Sequence, residues 1–324
     1  MTVALVGAGT AALRAHLPAL GRGGDTDAVR VVAVVDPHEE HCAEVARRSP
    51  GARTYADVAT AIAEARPDLV IVASPPSTHL AAVATAFSAG VDVVCEKPLG
   101  VAPGDARVLA ELCAAHPERM LVPVHQYRFA PAWRRVQALY ADAVAAGRPV
   151  DLRVEVERPG TDPLSSGGWR SAGLREGGVL GDHGVHYLAL AWTLDGDVTL
   201  RAAHQAGDPG REHATVDLAT AGGDVRIEVS YAGERRRNLV QLTVAGGPVL
   251  RWLDGQLDID PGDGSPSAGE TTPALSDRQT VNDLYGDLYD EVLLNRDRVD
   301  WRRSRTTEAV AVGRLLAGAL DVVR

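Results

Sequence analysis

The chain has 324 residues, of which 45% are hydrophobic and 23% are charged, and it carries a formal net charge of -10 with a pI near 5.5. This length favours about two domains, and the composition is typical of a folded, water-soluble protein rather than a disordered or fibrous one. The negative charge and the short basic runs argue against nucleic acid as a partner, and no apolar run approaches the roughly 20 residues that span a bilayer.

The cysteines and the first residues bear on the compartment of the protein. Cys42, Cys95 and Cys113 are odd in number and lack the close spacing of metal ligands, so neither a disulfide framework nor a metal site is expected. The chain enters a predicted strand at residue 3, without the basic region and cleavage site of a signal peptide. We therefore expect a cytoplasmic protein without a membrane partner.

Up to residue 125, short β-branched runs alternate with Ala-rich stretches of helical pattern. This alternation is typical of βαβ units around a parallel sheet whose faces are both covered by helices. The predicted strands are 3–6, 29–35, 69–73, 91–95 and 120–124, and the predicted helices are 11–20, 39–48, 58–65, 78–89 and 104–115. Residues 1–125 are therefore predicted to form a doubly wound α/β domain of the Rossmann type.

From residue 126 onward, polar and apolar residues alternate with period two, which predicts a largely antiparallel sheet. A helix at 131–146 precedes predicted strands at 152–156, 215–218, 225–230, 239–244 and 249–253, followed by a loop at 259–278 and helices at 281–294 and 305–323. One sheet face is expected to lie under helices, and the open face would join a homodimer or homotetramer. Residues 126–324 are therefore predicted to form an α+β domain for substrate binding and oligomerisation.

A glycine-rich turn follows the first predicted strand and opens a helix. Its predicted cofactor contacts are Gly7, Gly9, Thr10, Ala11 and Ala12, with Ala12 in the third glycine position. The first glycine permits the tight turn, the second lets a pyrophosphate approach the backbone, and the helix N-terminus supplies amide donors. Asp36 ends the second strand, where a carboxylate can bind ribose hydroxyls and repels a 2′-phosphate. The combination predicts a dinucleotide site that prefers NAD to NADP.

The loop after the predicted strand 69–73 is also assigned to the cofactor. Carboxyl ends of parallel strands border the ligand crevice of such folds, and prolines make this loop rigid. The predicted contacts are Ser74, Pro75, Pro76 and His79. We expect His79 in the first turn of the following helix rather than in catalysis.

Lys97 is the only lysine of the chain, whose 32 other basic residues are arginines. It lies in Glu96-Lys97-Pro98, at the end of the predicted strand 91–95. A lysine amine can give up and regain its proton, whereas a guanidinium stays charged. Lys97 is therefore predicted to be catalytic, and both Glu96 and Lys97 are expected beside the cofactor.

A second candidate group lies at a glycine-rich helix start. Asp182 and His186 are four residues apart, so a helix places them on one face, where the carboxylate can orient the imidazole. With Lys97 they are predicted to form an acid-base set. A metal site made of Asp182, His183, His186 and His125 is a less favoured alternative, because His183 would point away from the other two on a regular helix.

Substrate contacts are predicted in two segments. Tyr127 and Arg128 follow the first domain, and Trp169 and Arg170 lie in a Ser- and Gly-rich stretch. Guanidinium groups suit a phosphate or carboxylate, and an aromatic face suits a sugar ring. Solvated arginines and packed aromatic side chains are an equal alternative.

Together these motifs resemble the glucose-fructose oxidoreductase and inositol dehydrogenase family, Gfo/Idh/MocA. The resemblance covers nearly the whole chain and rests chiefly on the Glu-Lys-Pro motif and the later Asp-x-x-x-His pair. It implies that Lys97 and His186 handle the proton at the reacting oxygen, that Asp182 positions them or the substrate, and that a cis peptide precedes Pro98. His183 stands where the family commonly has an apolar or small residue and is a candidate substrate contact.

The resemblance also implies NAD or NADP as cofactor and a sugar, cyclitol or nucleotide-linked sugar as substrate. We expect an NAD-dependent oxidoreductase that interconverts a secondary alcohol and a ketone by hydride transfer. Two alternatives stay open. One is a redox-neutral enzyme that uses tightly bound NAD transiently for elimination, epimerisation or glycoside cleavage, and the other is a non-catalytic nucleotide or sugar sensor. A metal-dependent hydrolase is a more distant alternative.

Overall fold

The computed structural model describes residues 1–22, 29–160 and 176–323. The chain divides into two compact units: Met1–Gly100, Gly104–Val124 and Tyr285–Gly313 in the first, and Val101–Pro103, His125–Leu284 and Arg314–Arg324 in the second. The division differs from the sequence-based boundary after residue 125, because 285–313 packs with the first unit. Thr306, for example, accepts a hydrogen bond from the Leu121 N–H at 3.1 Å.

The first unit contains a six-stranded parallel sheet. Its strands are β1 Thr2–Val6, β2 Arg30–Val35, β3 Arg53–Tyr55, β4 Leu69–Val72, β5 Asp92–Cys95 and β6 Leu121–Pro123. They lie in the order β3-β2-β1-β4-β5-β6, and every pair is parallel. All four residues of β4 are buried, as expected when helices cover both faces. The predicted doubly wound sheet is confirmed.

The helices of this unit connect its strands. They are a π-helical segment Ala12–His16 that continues into α1 Leu17–Leu20, then α2 Glu39–Arg48, α3 Val58–Ala65, α4 His79–Ser88 and α5 Asp105–Ala115. α3 begins where Asp57 accepts a hydrogen bond from the Thr60 N–H at 2.9 Å, which satisfies a free donor of the first turn. Its Ala61 and Ile62 pack into the apolar core beneath the sheet.

The second unit contains an eight-stranded sheet covered by helices on one face. The helices are α6 Pro131–Ala145 and α7 Val185–Asp195; the strands are β7 Val150–Pro159, β8 Thr199–Ala206, β9 His213–Thr220, β10 Gly223–Gly233, β11 Arg237–Val244, β12 Val249–Leu253, β13 Gln256–Asp260 and β14 Ala268–Thr271. Their order is β14-β13-β12-β11-β7-β10-β9-β8, and only β7 and β10 pair in parallel among these neighbours. Alternate residues of β7 are buried, so the predicted largely antiparallel, open-faced sheet is confirmed.

Two helices close the chain and contribute residues to both units. They are α8 Arg278–Asn295 and α9 Val299–Val323, each longer at its N-terminal end than predicted. The predicted loop at 259–278 was partly wrong, because it contains β14. All four β14 residues are exposed, and the strand pairs with β13 from Thr271 opposite Gln256 to Ala268 opposite Ile259. Backbone pairing at a sheet edge leaves no apolar signal in the sequence.

Within the described ranges, no helix is both long enough and apolar enough to cross a membrane.

Candidate active site

The predicted cofactor residues of the first unit lie at one edge of its sheet. The glycine turn follows β1, Asp36 follows β2, the loop from Ser74 to His79 follows β4, and Glu96 and Lys97 follow β5. β2, β1, β4 and β5 are consecutive neighbours, so these segments share the carboxyl edge. The strand order reverses between β1 and β4, which is where doubly wound sheets bind ligands.

Gly7 and Gly9 shape the turn after β1. Gly7 has a φ of +89°, which L side chains rarely adopt, and a Cβ there would lie 2.6 Å from the carbonyl carbon of Ala73. A Cβ on Gly9 would meet no protein atom within 4 Å. The fold itself therefore requires Gly7, whereas bare Gly9 leaves open space that fits the pyrophosphate of a dinucleotide.

The helical part of the turn departs from a regular α-helix. Leu13 donates its N–H to the Gly9 carbonyl at 3.0 Å, and a π-helical segment begins at Ala12. Ala12 is fully buried, so the methyl group in the third glycine position packs inside the unit. Ala11 is half-buried and Thr10 is exposed, and both stay predicted cofactor contacts.

Asp36 joins the glycine turn to the loop after β2. Oδ2 accepts the Ala8 N–H at 2.8 Å, and Oδ1 accepts the His38 N–H at 2.9 Å. Burial alone would raise the pKa of Asp36, but these hydrogen bonds and nearby His41 lower that pKa on balance. The carboxylate is therefore ionised at neutral pH. Its charge suits ribose hydroxyls and opposes a 2′-phosphate.

His79 joins two loops of the carboxyl edge. Its fully buried ring lies with Nδ1 2.7 Å from the Pro98 carbonyl oxygen and Nε2 2.8 Å from the Ser74 carbonyl oxygen. His79 begins α4, which confirms its expected place in the first helical turn. Within the loop, Pro76 is buried whereas Pro75 is exposed. The imidazole thus connects the predicted cofactor loop to the segment that carries Lys97.

Lys97 lies two residues after the end of β5 and is half-buried, and its peptide bond to Pro98 is cis, as the family resemblance implied. Glu96 is buried, and its carboxylate accepts hydrogen bonds from His16 and Tyr285. These two partners were missed in the sequence because they lie 80 and 189 residues from Glu96. The available signal was His16, which lies among mostly apolar residues just after the glycine motif.

Asp182 and His186 lie in the second unit, and each has an aromatic partner there. The Tyr231 hydroxyl donates to Asp182 Oδ2 at 2.5 Å, and the His186 ring stacks on Tyr127 with centroids 4.1 Å apart and planes at 15°. Asp182 and His186 are only 2% and 3% exposed. Tyr231 was missed because it resembles any inward-facing residue of a strand with period-two alternation.

The sequence predicted that the His183 side chain points away from Asp182 and His186, and this prediction was wrong. Leu180–Gly184 is π-helical rather than α-helical, and the wider turn changes which side chains are neighbours. His183 Nε2 lies 4.0 Å from Asp182 Oδ2, and its ring centroid lies 6.5 Å from that of His186. The His183 ring also meets Tyr231 edge to face, with centroids 5.7 Å apart. His183 is therefore part of the same cluster as the two predicted catalytic residues.

The structure says less about the substrate role of the remaining predicted residues. Tyr127 is buried in its stack against His186, and the Arg128 guanidinium carbon lies 5.6 Å from the ring centroid of Phe129. Trp169 and Arg170 lie outside the described residues. The substrate contacts of all four stay predictions.

In the described part of the chain, the ligand atoms grouped closely enough for one metal ion belong to Asp36, His38 and His41, within 4.8 Å of one another. The group does not include the Asp182 and His183 of the alternative metal site. The His38 side chain is exposed, the His41 side chain is 45% exposed, and Asp36 already has the donors described above. The arrangement therefore gives the alternative metal site no support.

The predicted acid-base set is divided between the units. Lys97 belongs to the first unit, whereas Asp182 and His186 belong to the second. Within the second unit Asp182 accepts the Tyr231 hydroxyl and His186 stacks on Tyr127, and within the first unit Lys97 lies just after β5. That the three act on one substrate stays a prediction.

Comparison with known proteins connects this geometry to a family. The sequence model described as "Oxidoreductase family, NAD-binding Rossmann fold", GFO_IDH_MocA, matches residues 1–124. These residues contain all the strands of the first sheet and the whole carboxyl edge described above. The match agrees with the predicted dinucleotide-binding role of that edge.

Relatives extend the similarity beyond the first unit. D-apiose dehydrogenase from Paraburkholderia graminis is 31% identical over 265 residues, which is 78% of this chain and 68% of that protein. Inositol 2-dehydrogenase 2 from Saccharopolyspora erythraea is 31% identical over 54% of this chain and 49% of its own length. An oxidoreductase from Thermotoga maritima shares the fold, with a TM-score of 0.80 at 18% identity over 99% of this chain and 96% of that one. The chain belongs to the Gfo/Idh/MocA family of oxidoreductases, with an NAD-binding Rossmann fold.

Proposed function

We propose that the protein is an NAD-dependent oxidoreductase that interconverts a secondary alcohol and a ketone on a sugar, cyclitol or nucleotide-linked sugar. The observation that carries this proposal is the position of Lys97, the only lysine, at the same sheet edge as the glycine turn and Asp36. A proton-exchanging amine beside a dinucleotide crevice suits removal of a hydroxyl proton during hydride transfer. NAD bound at this edge would accept or return the hydride.

The proposed catalytic groups have different tasks. Lys97 and His186 exchange the proton of the reacting oxygen, and Asp182 orients the imidazole or the substrate. Tyr231 holds the Asp182 carboxylate through its hydroxyl, and the Tyr127 ring fixes one face of His186. Both contacts limit the rotation of the groups that must approach the substrate, which favours a reactive geometry.

The substrate class is supported by the relatives. Their names refer to apiose, a sugar, and to inositol, a cyclitol. The family description supports a nicotinamide dinucleotide, and the ionised Asp36 supports NAD over NADP. A 2′-phosphate at Asp36 would bring two negative charges together, and such a pair is unfavourable.

The test is the formation of NADH by purified protein with NAD and a panel of cyclitols, free sugars and nucleotide sugars. We expect a substrate-dependent rise in NADH absorbance, a smaller one with NADP, and a loss of about a hundredfold or more in turnover for Lys97→Arg with NAD affinity kept. Arg134→Lys is the matched control, because Arg134 is exposed on α6. Undiminished turnover in Lys97→Arg would remove Lys97 from the mechanism. Firmly bound NAD without net NADH formation would instead favour the redox-neutral enzyme or the sensor.

A further inference from the structure

Two histidines lie beside Asp36 at the start of α2. His38 Nδ1 is 3.0 Å from Asp36 Oδ1, and His41 Nδ1 is 3.4 Å from the same oxygen. The two imidazole ring centroids are 4.9 Å apart, and one ligand atom of each of the three residues lies within 4.8 Å of the others. All three residues belong to the first unit. They form a compact group of one carboxylate and two imidazoles.

The strand end and the first turn of α2 create this group. Asp36 is the first residue after β2, and His38 precedes α2 with an extended backbone, φ −99° and ψ 110°. The His38 ring does not cap the helix and turns to Asp36 instead. His41 lies one turn further on and donates its N–H to the His38 carbonyl at 3.1 Å, so the two histidines share one side of the helix start.

The distances within the group suit a metal ion. In a tetrahedral site with metal–ligand bonds of about 2.0–2.1 Å, the ligand atoms are roughly 3.3 Å apart, which is close to both distances from Asp36 Oδ1 to an imidazole nitrogen. Oδ1 already accepts the His38 N–H, but a carboxylate oxygen has two lone pairs, so one is left for an ion. A bound ion would replace the ring proton between His38 Nδ1 and Oδ1.

His41 Nδ1 points to the same use. The ring is partly exposed, but this nitrogen is shielded from water, and among the described residues it has no hydrogen-bond partner. Buried polar atoms of proteins normally have a partner. An ion shared with Asp36 Oδ1 and His38 would supply one. The acidic residues of the first turn, Glu39 and Glu40, offset the positive end of α2, which would otherwise disfavour a cation.

The donor set selects the class of ion. Two imidazoles and one carboxylate suit Zn²⁺ and its divalent transition-metal neighbours, whereas Mg²⁺ and Ca²⁺ prefer oxygen ligands alone. The buried Cys42 thiol lies 3.5 Å from the Asp36 carbonyl oxygen and is not part of the group. The His38 side chain is 69% exposed, so an ion can enter from water and keep water in its remaining positions.

We propose that Asp36, His38 and His41 bind a divalent transition-metal ion of the zinc type, and that this ion competes with the dinucleotide for Asp36. The ion site itself depends only on the three side chains. The competition rests on the proposed function, which assigns the Asp36 carboxylate to ribose hydroxyls. A carboxylate whose Oδ1 binds a divalent ion is a weaker acceptor for those hydroxyls, so zinc would inhibit NAD binding.

The first test is calorimetric titration of the full chain, without an affinity tag and stripped with a chelator, with zinc chloride. We expect one zinc ion per chain. His38→Gln and His41→Gln should each weaken zinc binding about tenfold or more, since even residues that merely support a metal ligand contribute that much. His204→Gln is the matched control, because His204 is exposed on β8 of the second unit, and it should leave zinc affinity unchanged.

The second test measures NAD affinity of the same protein with and without zinc. For simple competition, zinc at about ten times its dissociation constant should weaken NAD binding about tenfold, and a chelator should reverse the effect. In the double variant His38→Gln and His41→Gln, NAD affinity should no longer depend on zinc. Both side chains are largely or partly exposed, so the fold does not require them.

Absence of stoichiometric zinc binding, or equal zinc affinity in the wild type and the double variant, would overturn the ion site. Zinc binding that leaves NAD affinity unchanged would overturn the competition. The zinc titration needs no dinucleotide. If the metal-free protein does not bind NAD, the proposed function fails, while the zinc titration still decides whether the ion site exists.

Discussion

Gly7 and Gly9 lie two residues apart in one turn, yet the structure gives them different tasks. Gly7 combines a positive φ with a close approach to the backbone of Ala73, so folding itself requires a glycine there. Gly9 faces open space, so its missing side chain matters only when something approaches the backbone. The sequence motif alone treats the two glycines alike.

The two glycines can be separated by matched substitutions. Gly7→Ala should lower the free energy of unfolding by about 1–3 kcal/mol, because it forces an alanine into a left-handed conformation against backbone atoms. Gly9→Ala should change that free energy by no more than about 0.5 kcal/mol, yet weaken NAD binding about tenfold or more. Urea denaturation and calorimetric titration with NAD measure the two effects. Normal NAD affinity in Gly9→Ala would contradict the assignment of this turn to the cofactor.

At the scale of elements, periodicity predicted most helices and strands within a few residues. α2 and α3 begin and end where predicted, because each combines a clear apolar face with polar neighbours. Periodicity missed the short edge strand β3, the outer strand β8 and the polar strand β14, which carry little apolar alternation of their own, and it also missed the short strand β13. It also missed both π-helical segments, because a single widened turn leaves no distinct periodicity in the sequence.

The attachment of α9 to the sheet of the first unit also escaped the sequence. Arg302 binds Asp92, at the start of β5, through two hydrogen bonds of 2.7 and 3.0 Å, and donates a third to the Glu118 carbonyl at 2.8 Å. Such a forked contact is specific to a planar guanidinium. It explains how residues near the end of the chain become part of the first unit.

Arg302→Lys tests this attachment. A lysine keeps the charge but loses the forked geometry, so we expect the free energy of unfolding to fall by about 1–2 kcal/mol. Arg303→Lys is the matched control, because the neighbouring Arg303 is exposed, and it should change stability by less than about 0.5 kcal/mol. Urea denaturation of both variants gives the comparison. Equal stability of the two variants would mean that the forked contact of Arg302 with Asp92 does not contribute to the free energy of unfolding.

At the scale of the whole molecule, the open face of the second sheet is the surface with the clearest expected partner. The described residues of this face form ion pairs. Arg237 of β11 lies 3.0 Å from Glu155 of β7, and Arg226 lies 2.9 Å from Glu228 within β10. A two-fold axis would place this pattern against a second copy of itself, so each charge would meet the partner face. Homodimer or homotetramer formation through this face stays our prediction.

Light scattering on the purified protein tests the assembly. We expect a mass of two or four chains for the wild type, and a shift toward one chain for Glu228→Lys, because a symmetric interface contains every substitution twice. Asp142→Lys makes the same charge change at an exposed position of α6, a helix that packs against the other side of the sheet, and should leave the mass unchanged. A monomeric wild type would refute the prediction.

The sequence by itself determined the parallel sheet, its cofactor edge and the family, because these depend on local features: β-branched runs, a glycine turn, an acid at a strand end and a lone lysine. It also identified Lys97, Asp182 and His186 as candidates. Only the tertiary structure brought His16 and Tyr285 to Glu96, Tyr231 to Asp182, and His183 into the cluster of the second unit. Such contacts join residues far apart in the chain or depend on one widened helical turn, and a sequence without its fold specifies neither.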